Sequence, residues 1–143
     1  MSHARVSPTE AHRLVRDAGH AYLDVRSVAE FETGHPVGAY NVPVALPGPD
    51  GPRDNPDFVA IVSACFSKDQ PLVVGCRSGS RSQRAAGALA AAGFVVVEQR
   101  AGMAGSRDAF GRVTEAGWEA EGLPCATWTD PGHTYAELRR RLG

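Results

Sequence analysis

Short apolar runs alternate along this 143-residue chain with segments that carry helix-start signals, and no other feature constrains the fold as strongly. The apolar runs have the length and composition of buried strands, and they lie at 21–25, 40–42, 71–75 and 94–97. An alternation of strand, tight loop and helix is typical of α/β proteins. The pattern therefore predicts an α/β fold with a largely parallel sheet.

Helix-start signals stand between the apolar runs. Ser7–Glu10 and Ser27–Glu30 each match a capping box, in which a serine is followed three residues later by glutamate. The first helix is predicted to run to about Asp17, and the second to end at Gly34. Three further helices are predicted from Asn55 to Phe66, from Ser82 to Gly93, and from Tyr135 to Leu142.

Composition narrows the class of protein. The chain is about one domain long, with 43% hydrophobic and 22% charged residues, which excludes wholesale disorder. A net charge of −1 offers no bulk attraction to nucleic acid or to a membrane surface. The best apolar run, 85–97, falls short of the roughly 20 residues of a membrane span, and the N-terminus has no apolar signal-peptide core. We expect no nucleic-acid or membrane partner.

Cysteine usage points to a reducing compartment. The chain has three cysteines, Cys65, Cys76 and Cys125, and an odd count leaves at least one thiol unpaired. Disulfide frameworks belong to exported proteins, and this chain shows no export signal. The sequence therefore predicts a cytoplasmic location.

Cys76 is the residue that most clearly indicates chemistry. It follows the apolar run 71–75 and precedes the loop 77–81. This places it at the carboxyl end of a predicted strand, which is where ligands bind in open α/β sheets. The loop has no proline, so every residue offers a backbone N–H, and Gly79 permits a tight reversal. Amides curled into a helix start would stabilise a thiolate, and Arg77 and Arg81 add positive charge. The alternative is that Cys76 is a small buried core residue.

Three segments together carry a family resemblance. Tyr22–Arg26 contains an Asp-x-Arg sequence, Glu30–Pro43 contains Gly-His and Gly-Ala-x-Asn-x-Pro, and Cys76–Ser82 has the form of an active-site loop. With these motifs the chain resembles the rhodanese family of sulfurtransferases over roughly residues 7–102, and more distantly to Pro124.

The resemblance implies a fold and a chemistry. The fold would be a single rhodanese-like domain over 1–127, with a central parallel sheet of about five strands flanked by helices on both faces. Residues 128–143 would be a tail with a short basic helix, either packed or loose. Cys76 would be the catalytic residue and carry sulfur as a persulfide. The substrate-binding residues would be Arg77, Ser78, Gly79, Ser80, Arg81 and Ser82; Ser82 fits a helix N-cap equally well.

Loop length separates two chemistries. Four residues stand between Cys76 and Arg81, whereas related phosphatases and arsenate reductases have five and enclose a larger oxyanion. In the family, basic loop residues go with thiosulfate as donor. We therefore predict an enzyme, a thiosulfate sulfurtransferase that passes sulfur to a thiol or cyanide. A persulfide relay module serving one protein partner, and a phosphatase or arsenate reductase, remain as alternatives.

Four residues outside the loop are predicted to support the site. Asp24 and Arg26 could orient the loop or touch the donor, or form a structural ion pair. Glu30 completes a capping box and could also pair with Arg81. His35 would fix its turn by a hydrogen bond or transfer a proton.

The chain departs from the family pattern near its end. The usual Gly-Gly is Ala101-Gly102, and Trp118 follows an apparent insertion at 104–116 that could line the site or form a surface loop. Cys65 is predicted as core. Cys125 follows Pro124 in an irregular region and could be a resolving thiol for the Cys76 persulfide. The His and Cys residues lack zinc-ligand spacing, and no dinucleotide or Walker motif is present, so no metal or cofactor is expected.

Overall fold

Five short strands pair in parallel to form the central sheet of the computed structural model, which describes residues 3–142. In chain order they are β1 (Ala4–Val6), β2 (Ala21–Asp24), β3 (Tyr40–Asn41), β4 (Leu72–Gly75) and β5 (Val96–Gln99). Their order across the sheet is β1-β5-β4-β2-β3. The prediction of an α/β fold with a parallel sheet of about five strands is confirmed.

Within the described residues, four α-helices connect the strands of the central sheet and a fifth follows the last strand. They are α1 (Pro8–Asp17), α2 (Val28–Thr33), α3 (Phe58–Cys65), α4 (Ser80–Ala91) and α5 (Tyr135–Arg139), the last continuing as a 3-10 helix over Arg140–Leu142. Both serine caps form: Ser7 accepts from the Glu10 backbone N–H, and Ser27 and Glu30 make a complete capping box. At α1 the Glu10 carboxylate instead accepts from Arg13.

The helices cover both faces of the sheet, because side chains alternate along β2 and β4. Leu23 and Val74 join a cluster with residues of α3, α4 and α5. Tyr22 and Val73 point the other way, into a cluster with residues of α1 and α2. Strands buried on both faces are typical of parallel sheets, and this explains their nearly continuous apolar sequence.

Some elements differ from the sequence-based prediction. β1 was not expected, because its three residues are mostly exposed and pair with β5 only at the edge of the sheet. β5 begins at Val96 and not at Phe94. Three short antiparallel pairs lie outside the central sheet, namely His35–Pro36 with Cys125–Ala126, Ala45–Leu46 with Arg53–Asp54, and Ser106–Arg107 with Val113–Glu115.

The C-terminal helix packs on the rest of the molecule. Leu138 is 2% exposed and belongs to the cluster between the sheet and α3. The Tyr135 hydroxyl accepts a hydrogen bond from the Asn55 side chain, and the Cys65 thiol donates to the Leu138 carbonyl. Of the two alternatives for the tail, packing is the one observed, and the domain division at 127/128 stays a prediction. Within residues 3–142 no helix has the length and hydropathy of a membrane span.

Replacing Leu138 by alanine should lower the free energy of unfolding by about 2–5 kcal/mol, because the substitution opens a cavity in the core. Chemical denaturation measures this loss. Leu142→Ala is the matched control, since Leu142 is 42% exposed. Equal, small effects of the two substitutions would show that the tail does not pack as described.

Candidate active site

Cys76 lies at the carboxyl edge of the parallel sheet, directly after β4. Gly75 at the end of β4 pairs in register with Asp24 at the end of β2, so the residues that follow these two strands share one edge. In open α/β sheets this edge is where ligands bind. The sheet topology therefore brings the Cys76 loop and the Asp24–Arg26 segment together.

Two backbone amides converge on the Cys76 sulfur. The N–H groups of Gly79 and Ser82 donate to Sγ over 3.2 and 3.3 Å. Gly79 is the N-cap of α4 and has a φ of 108°, which favours glycine. The side chain is only 1% exposed, so the sulfur lies at the bottom of the loop with the amides turned toward it. Amide N–H groups and the positive end of α4 both stabilise negative charge there.

Ser82 is not the N-cap of α4, so that part of the prediction is wrong. The helix begins at Ser80, two residues earlier, because Gly79 makes the reversal. Ser82 therefore lies in the first turn. Its N–H points to Cys76, and its hydroxyl donates over 2.7 Å to the Glu98 carboxylate. The Cys76 thiol and the Ser82 hydroxyl oxygen are 3.4 Å apart.

A second segment holds the loop backbone from outside. The Met103 and Ala104 N–H groups donate to the carbonyls of Cys76 and Arg77 over 2.9 and 2.8 Å. Gly102 has a φ of 66°, and a Cβ there would lie 2.4 Å from the Arg77 carbonyl oxygen. This close approach requires glycine, and it explains why the second residue of Ala101-Gly102 keeps the family pattern.

The two loop arginines have different surroundings. Arg81 makes a bidentate ion pair with Glu30, with nitrogen–oxygen distances of 2.6 and 2.9 Å. Arg77, by contrast, is exposed at the rim of the loop, as are Ser78 and Ser80. Glu30 thus fills both of its predicted roles, since it also caps α2.

The Glu30–Arg81 pair affects the titration of both groups. Hydrogen bonds from Arg81 lower the pKa of the Glu30 carboxyl to about 2, although partial burial acts in the opposite direction. The same hydrogen bonds raise the pKa of Arg81. The pair is therefore ionised near neutral pH, and it fixes the first turn of α4 to α2.

Asp24 and Arg26 form a buried ion pair. Arg26 Nη2 donates to Asp24 Oδ2 and to the Gly34 carbonyl, each over 2.7 Å. The Asn41 side chain donates to the carbonyls of Asp24 and Arg26. Because both charged side chains are buried, they offer no surface to a donor in solution. The arrangement matches the structural alternative, in which the pair joins β2, α2 and β3.

His35 is buried, and each of its ring nitrogens lies within hydrogen-bonding distance of a backbone carbonyl oxygen. Nδ1 lies 2.7 Å from the Phe31 oxygen, and Nε2 lies 2.7 Å from the Trp128 oxygen. The ring also stacks on Phe31, with 3.8 Å between centroids. These contacts hold the turn after α2 against the segment near Trp128, which matches the hydrogen-bonding alternative.

The other cysteines stand in different environments. Partial burial raises the pKa of the Cys65 thiol and of the Cys125 thiol. Cys65 is half-buried and packs against the core, whereas Cys125 is exposed beside His35–Pro36. Within the described residues, no group of three or more His, Cys, Asp or Glu side chains could hold a metal ion.

Sequence reasoning missed three polar residues near the loop. Glu98 is fully buried and bonds to Ser82 and to Arg5 of β1. The Gln99 side chain accepts from the N–H groups of residues 101 and 102 and so shapes the turn before Met103. The sequence did hold a signal, because Glu98 and Gln99 are polar residues at the end of an otherwise apolar strand, and Cys76 directly follows another strand at the same edge of the sheet. Nothing comparable marks Arg5.

A cleft of about 470 Å³ opens beside the first turn of α4. Ser80, Arg81 and Arg84 form one side, and Leu46 and Pro47 contribute an apolar wall. The hairpin of Ala45–Leu46 and Arg53–Asp54 borders the cleft on the other side.

Comparison with known proteins identifies the family. The rhodanese-like domain model matches residues 7–106. The chain therefore belongs to the rhodanese-like domain family. Thiosulfate sulfurtransferase 16, chloroplastic, of Arabidopsis thaliana is 43% identical to it over 119 residues, which are 83% of this chain and 89% of that protein. Rhodanese-like domain-containing protein 15, chloroplastic, from the same plant is 40% identical over 66% of this chain and 52% of its own length.

Solved structures support the same rhodanese-like fold. Rv0390 from M. tuberculosis superimposes with a TM-score of 0.68 at 28% identity, covering 89% of this chain and all of that one. The rhodanese-like domain of the Anabaena sp. Alr3790 protein superimposes with a TM-score of 0.66 at 21% identity, covering 87% of this chain and 80% of that one. The second likeness concerns the fold alone.

Replacing Gly79 by alanine should reduce the reactivity of Cys76 by about tenfold to a hundredfold, because a misplaced amide no longer meets the sulfur. A Cβ at Gly79 would lie 2.5 Å from the Arg100 carbonyl oxygen. The rate of Cys76 alkylation measures the effect. Gly87→Ala in the middle of α4 is the control, since open space surrounds that position. A Gly79→Ala rate equal to that of Gly87→Ala would contradict the geometry.

Glu30→Gln should flatten the pH dependence of stability in acid. The pKa of Glu30 is about 2 in the folded protein, and its ordinary value is 4.5. The pair with Arg81 therefore stabilises the fold above pH 4.5, and this stabilisation is lost as the pH falls toward 2. Urea midpoints of the two proteins, compared across this interval, measure the difference. Glu32→Gln on the same helix, at an exposed position, should keep the parental slope. Parallel curves for Glu30→Gln and the parent would refute the assignment.

Proposed function

We propose that this rhodanese-like domain is a thiosulfate sulfurtransferase that carries sulfur as a persulfide on Cys76. The observation that supports this most is the pair of amides, from Gly79 and Ser82, directed at the Cys76 sulfur at the start of α4. Such a setting stabilises a thiolate and, after loading, the negative charge of a persulfide. The loop has four residues between Cys76 and Arg81, which favours a single sulfur over a tetrahedral oxyanion.

The reaction has two steps. In the first, the Cys76 thiolate attacks the outer sulfur of thiosulfate, the sulfur–sulfur bond of thiosulfate breaks, and sulfite leaves with the bonding electrons. In the second, a thiolate or cyanide attacks the outer sulfur of the persulfide, and the Cys76 thiolate is released. Charge and atoms balance in each step without a further redox partner.

Charge at the loop rim supports an anionic donor. Arg77 is exposed beside Ser78 and Ser80, so its guanidinium can meet the sulfonate end of thiosulfate. Arg81 contributes less charge than the sequence implies, because Glu30 neutralises it. In this proposal Arg77 is the main donor contact, and Arg81 sets the position of the helix start.

The cleft beside α4 suits the acceptor. Its wall combines apolar Leu46 and Pro47 with Arg81 and Arg84, and these two arginines are paired with Glu30 and Asp54. An organic thiol with an apolar stem matches this lining. Because Ser80 and Arg81 belong both to the cleft and to the first turn of α4, an acceptor bound there would stand next to the persulfide loop.

A persulfide relay to a protein partner is the second candidate. Phe110 is 84% exposed, in the turn between the short strands Ser106–Arg107 and Val113–Glu115. The same insertion begins at Ala104, whose N–H is bound to the Arg77 carbonyl. In this second proposal the exposed Phe110 ring, on a segment tied to the loop, is the contact offered to a protein partner, because aromatic side chains are enriched in interfaces.

The free thiols favour a reducing cellular compartment. Cys65, Cys76 and Cys125 are all free, and we propose that the protein works in a reducing compartment, the cytoplasm being the sequence-based prediction. Both Arabidopsis relatives bear the word chloroplastic in their names, which describes those proteins.

Cys76→Ala should abolish sulfur transfer from thiosulfate, because no other thiol lies at the amide pair. Incubating the parent with thiosulfate should add about 32 Da, one sulfur atom, to the Cys76 peptide, and cyanide should remove it. Mass spectrometry of the digested protein measures both changes. Cys125→Ala is the matched control and should load normally. Thiosulfate turnover that survives in Cys76→Ala would refute the proposal.

The loading assay also separates the two candidates. A protein that gains sulfur from a cysteine desulfurase but not from thiosulfate is a relay module. Cys76-dependent turnover of an aryl phosphate would favour the phosphatase alternative.

A further inference from the structure

A buried carboxylate stands behind the reactive sulfur. Glu98 of β5 is 0% exposed, and its Oε2 accepts a hydrogen bond from the Ser82 hydroxyl over 2.7 Å. The same hydroxyl oxygen lies 3.4 Å from Cys76 Sγ. Sulfur, hydroxyl and carboxylate therefore form a continuous chain of hydrogen-bonding groups, and the two-step reaction above makes no use of the carboxylate.

The distances indicate which acceptor each proton of this hydrogen-bonded series faces. The single Ser82 hydroxyl proton has two nearby acceptors, the Glu98 carboxylate at 2.7 Å and the Gly79 carbonyl at 3.2 Å. The carboxylate oxygen is nearer, and a carboxylate is a stronger acceptor than a carbonyl. The serine oxygen then presents a lone pair to Cys76, and the thiol can donate its proton to it.

Positively charged groups surround the Glu98 end of this hydrogen-bonded series. Arg5 of β1 donates from Nε to Glu98 Oε1 over 2.7 Å, and His3 Nε2 lies 3.5 Å from the same oxygen. Together with Ser82 and Cys76, these are the charged and titratable groups that meet Glu98 among the residues the structure describes. On the other side, Arg81 of α4 and Tyr22 of β2 are the charged and titratable groups near Cys76. Burying a carboxylate is costly unless it is paired, and Arg5 supplies the partner.

We propose that Glu98, acting through Ser82, takes up the Cys76 thiol proton and later returns it, an inference that rests on the proposed function. The thiol proton passes to Ser82 Oγ while the hydroxyl proton passes to Glu98 Oε2. No electrons are exchanged, and one negative charge moves from the carboxylate to the sulfur, where two amides receive it. Because Glu98 acts through Ser82, it is a positioning residue.

The proposal requires Cys76 and Glu98 to titrate as a coupled pair. A thiolate then exists in two forms, one with an ionised Glu98 and one with a protonated Glu98. As the pH is lowered, the alkylation rate should fall to an intermediate plateau and then fall again. A carboxylate that merely anchored Ser82 would leave a single step.

The test measures the alkylation of Cys76 by iodoacetamide against pH, with mass spectrometry of the Cys76 peptide as readout. The parent should show two steps. Glu98→Gln keeps the size of the side chain but cannot accept the proton, so its pH profile should show one step. Below the pH of that step, the alkylation rate should fall about tenfold per pH unit. Ser82→Ala removes the connecting hydroxyl and should give the same single step, which covers the case in which Glu98→Gln fails to fold.

Two control variants test whether the step at lower pH belongs to Glu98. His3→Gln should keep the plateau, because in the proposal the second ionisation belongs to Glu98. Glu10→Gln removes an arginine-paired carboxylate from the surface of α1 and should also keep it. A single step in the parent, or a plateau that persists in both Glu98→Gln and Ser82→Ala, would overturn the proposal. The assay contains no sulfur donor, so its outcome is independent of whether thiosulfate is the substrate.

Discussion

The structure of the site depends on one interaction, the convergence of two backbone amides on the Cys76 sulfur. It exists because α4 begins at Ser80, directly after a glycine in the left-handed region, so the chain turns back over the end of β4. The 103–104 segment then closes over the loop backbone. A thiol placed there is held by main-chain groups, whose position the sheet, the helix start and the glycine at position 79 determine.

Three carboxylate–arginine pairs surround this loop and connect it to different parts of the fold. Arg26, paired with Asp24, reaches the Gly34 carbonyl at the end of α2, Glu30–Arg81 joins α2 to α4, and Glu98–Arg5 joins β5 to β1. Asp24, Arg26 and Glu98 are buried, and a buried charge left without its partner is strongly destabilising, so these contacts favour the arrangement in which the partners meet. Charge around the site thus serves orientation first, and Arg77 is the loop arginine left to face solvent.

Local signals predicted most of the fold. Capping boxes, glycine stops and short apolar runs are interactions within a few residues, so α1, α2, β2 and β4 could be located from the chain alone. The failures have a common cause. β1 is a mostly exposed three-residue segment that becomes a strand only by pairing with β5. The sequence indicated a reversal at Gly79, but not that the helix starts directly after it at Ser80, because Ser82 is also a good N-cap residue.

The amino-acid sequence by itself determined the α/β class, the place of Cys76 after a strand and before a helix, and the spacing of four residues between Cys76 and Arg81. These properties follow from neighbours along the chain. Only the tertiary structure decided that Arg81 turns to Glu30, 51 positions away, and that Ser82 and Arg5 meet a buried Glu98. Pairings across such separations arise when strands and helices assemble, because a side chain selects its charged partner by distance in space.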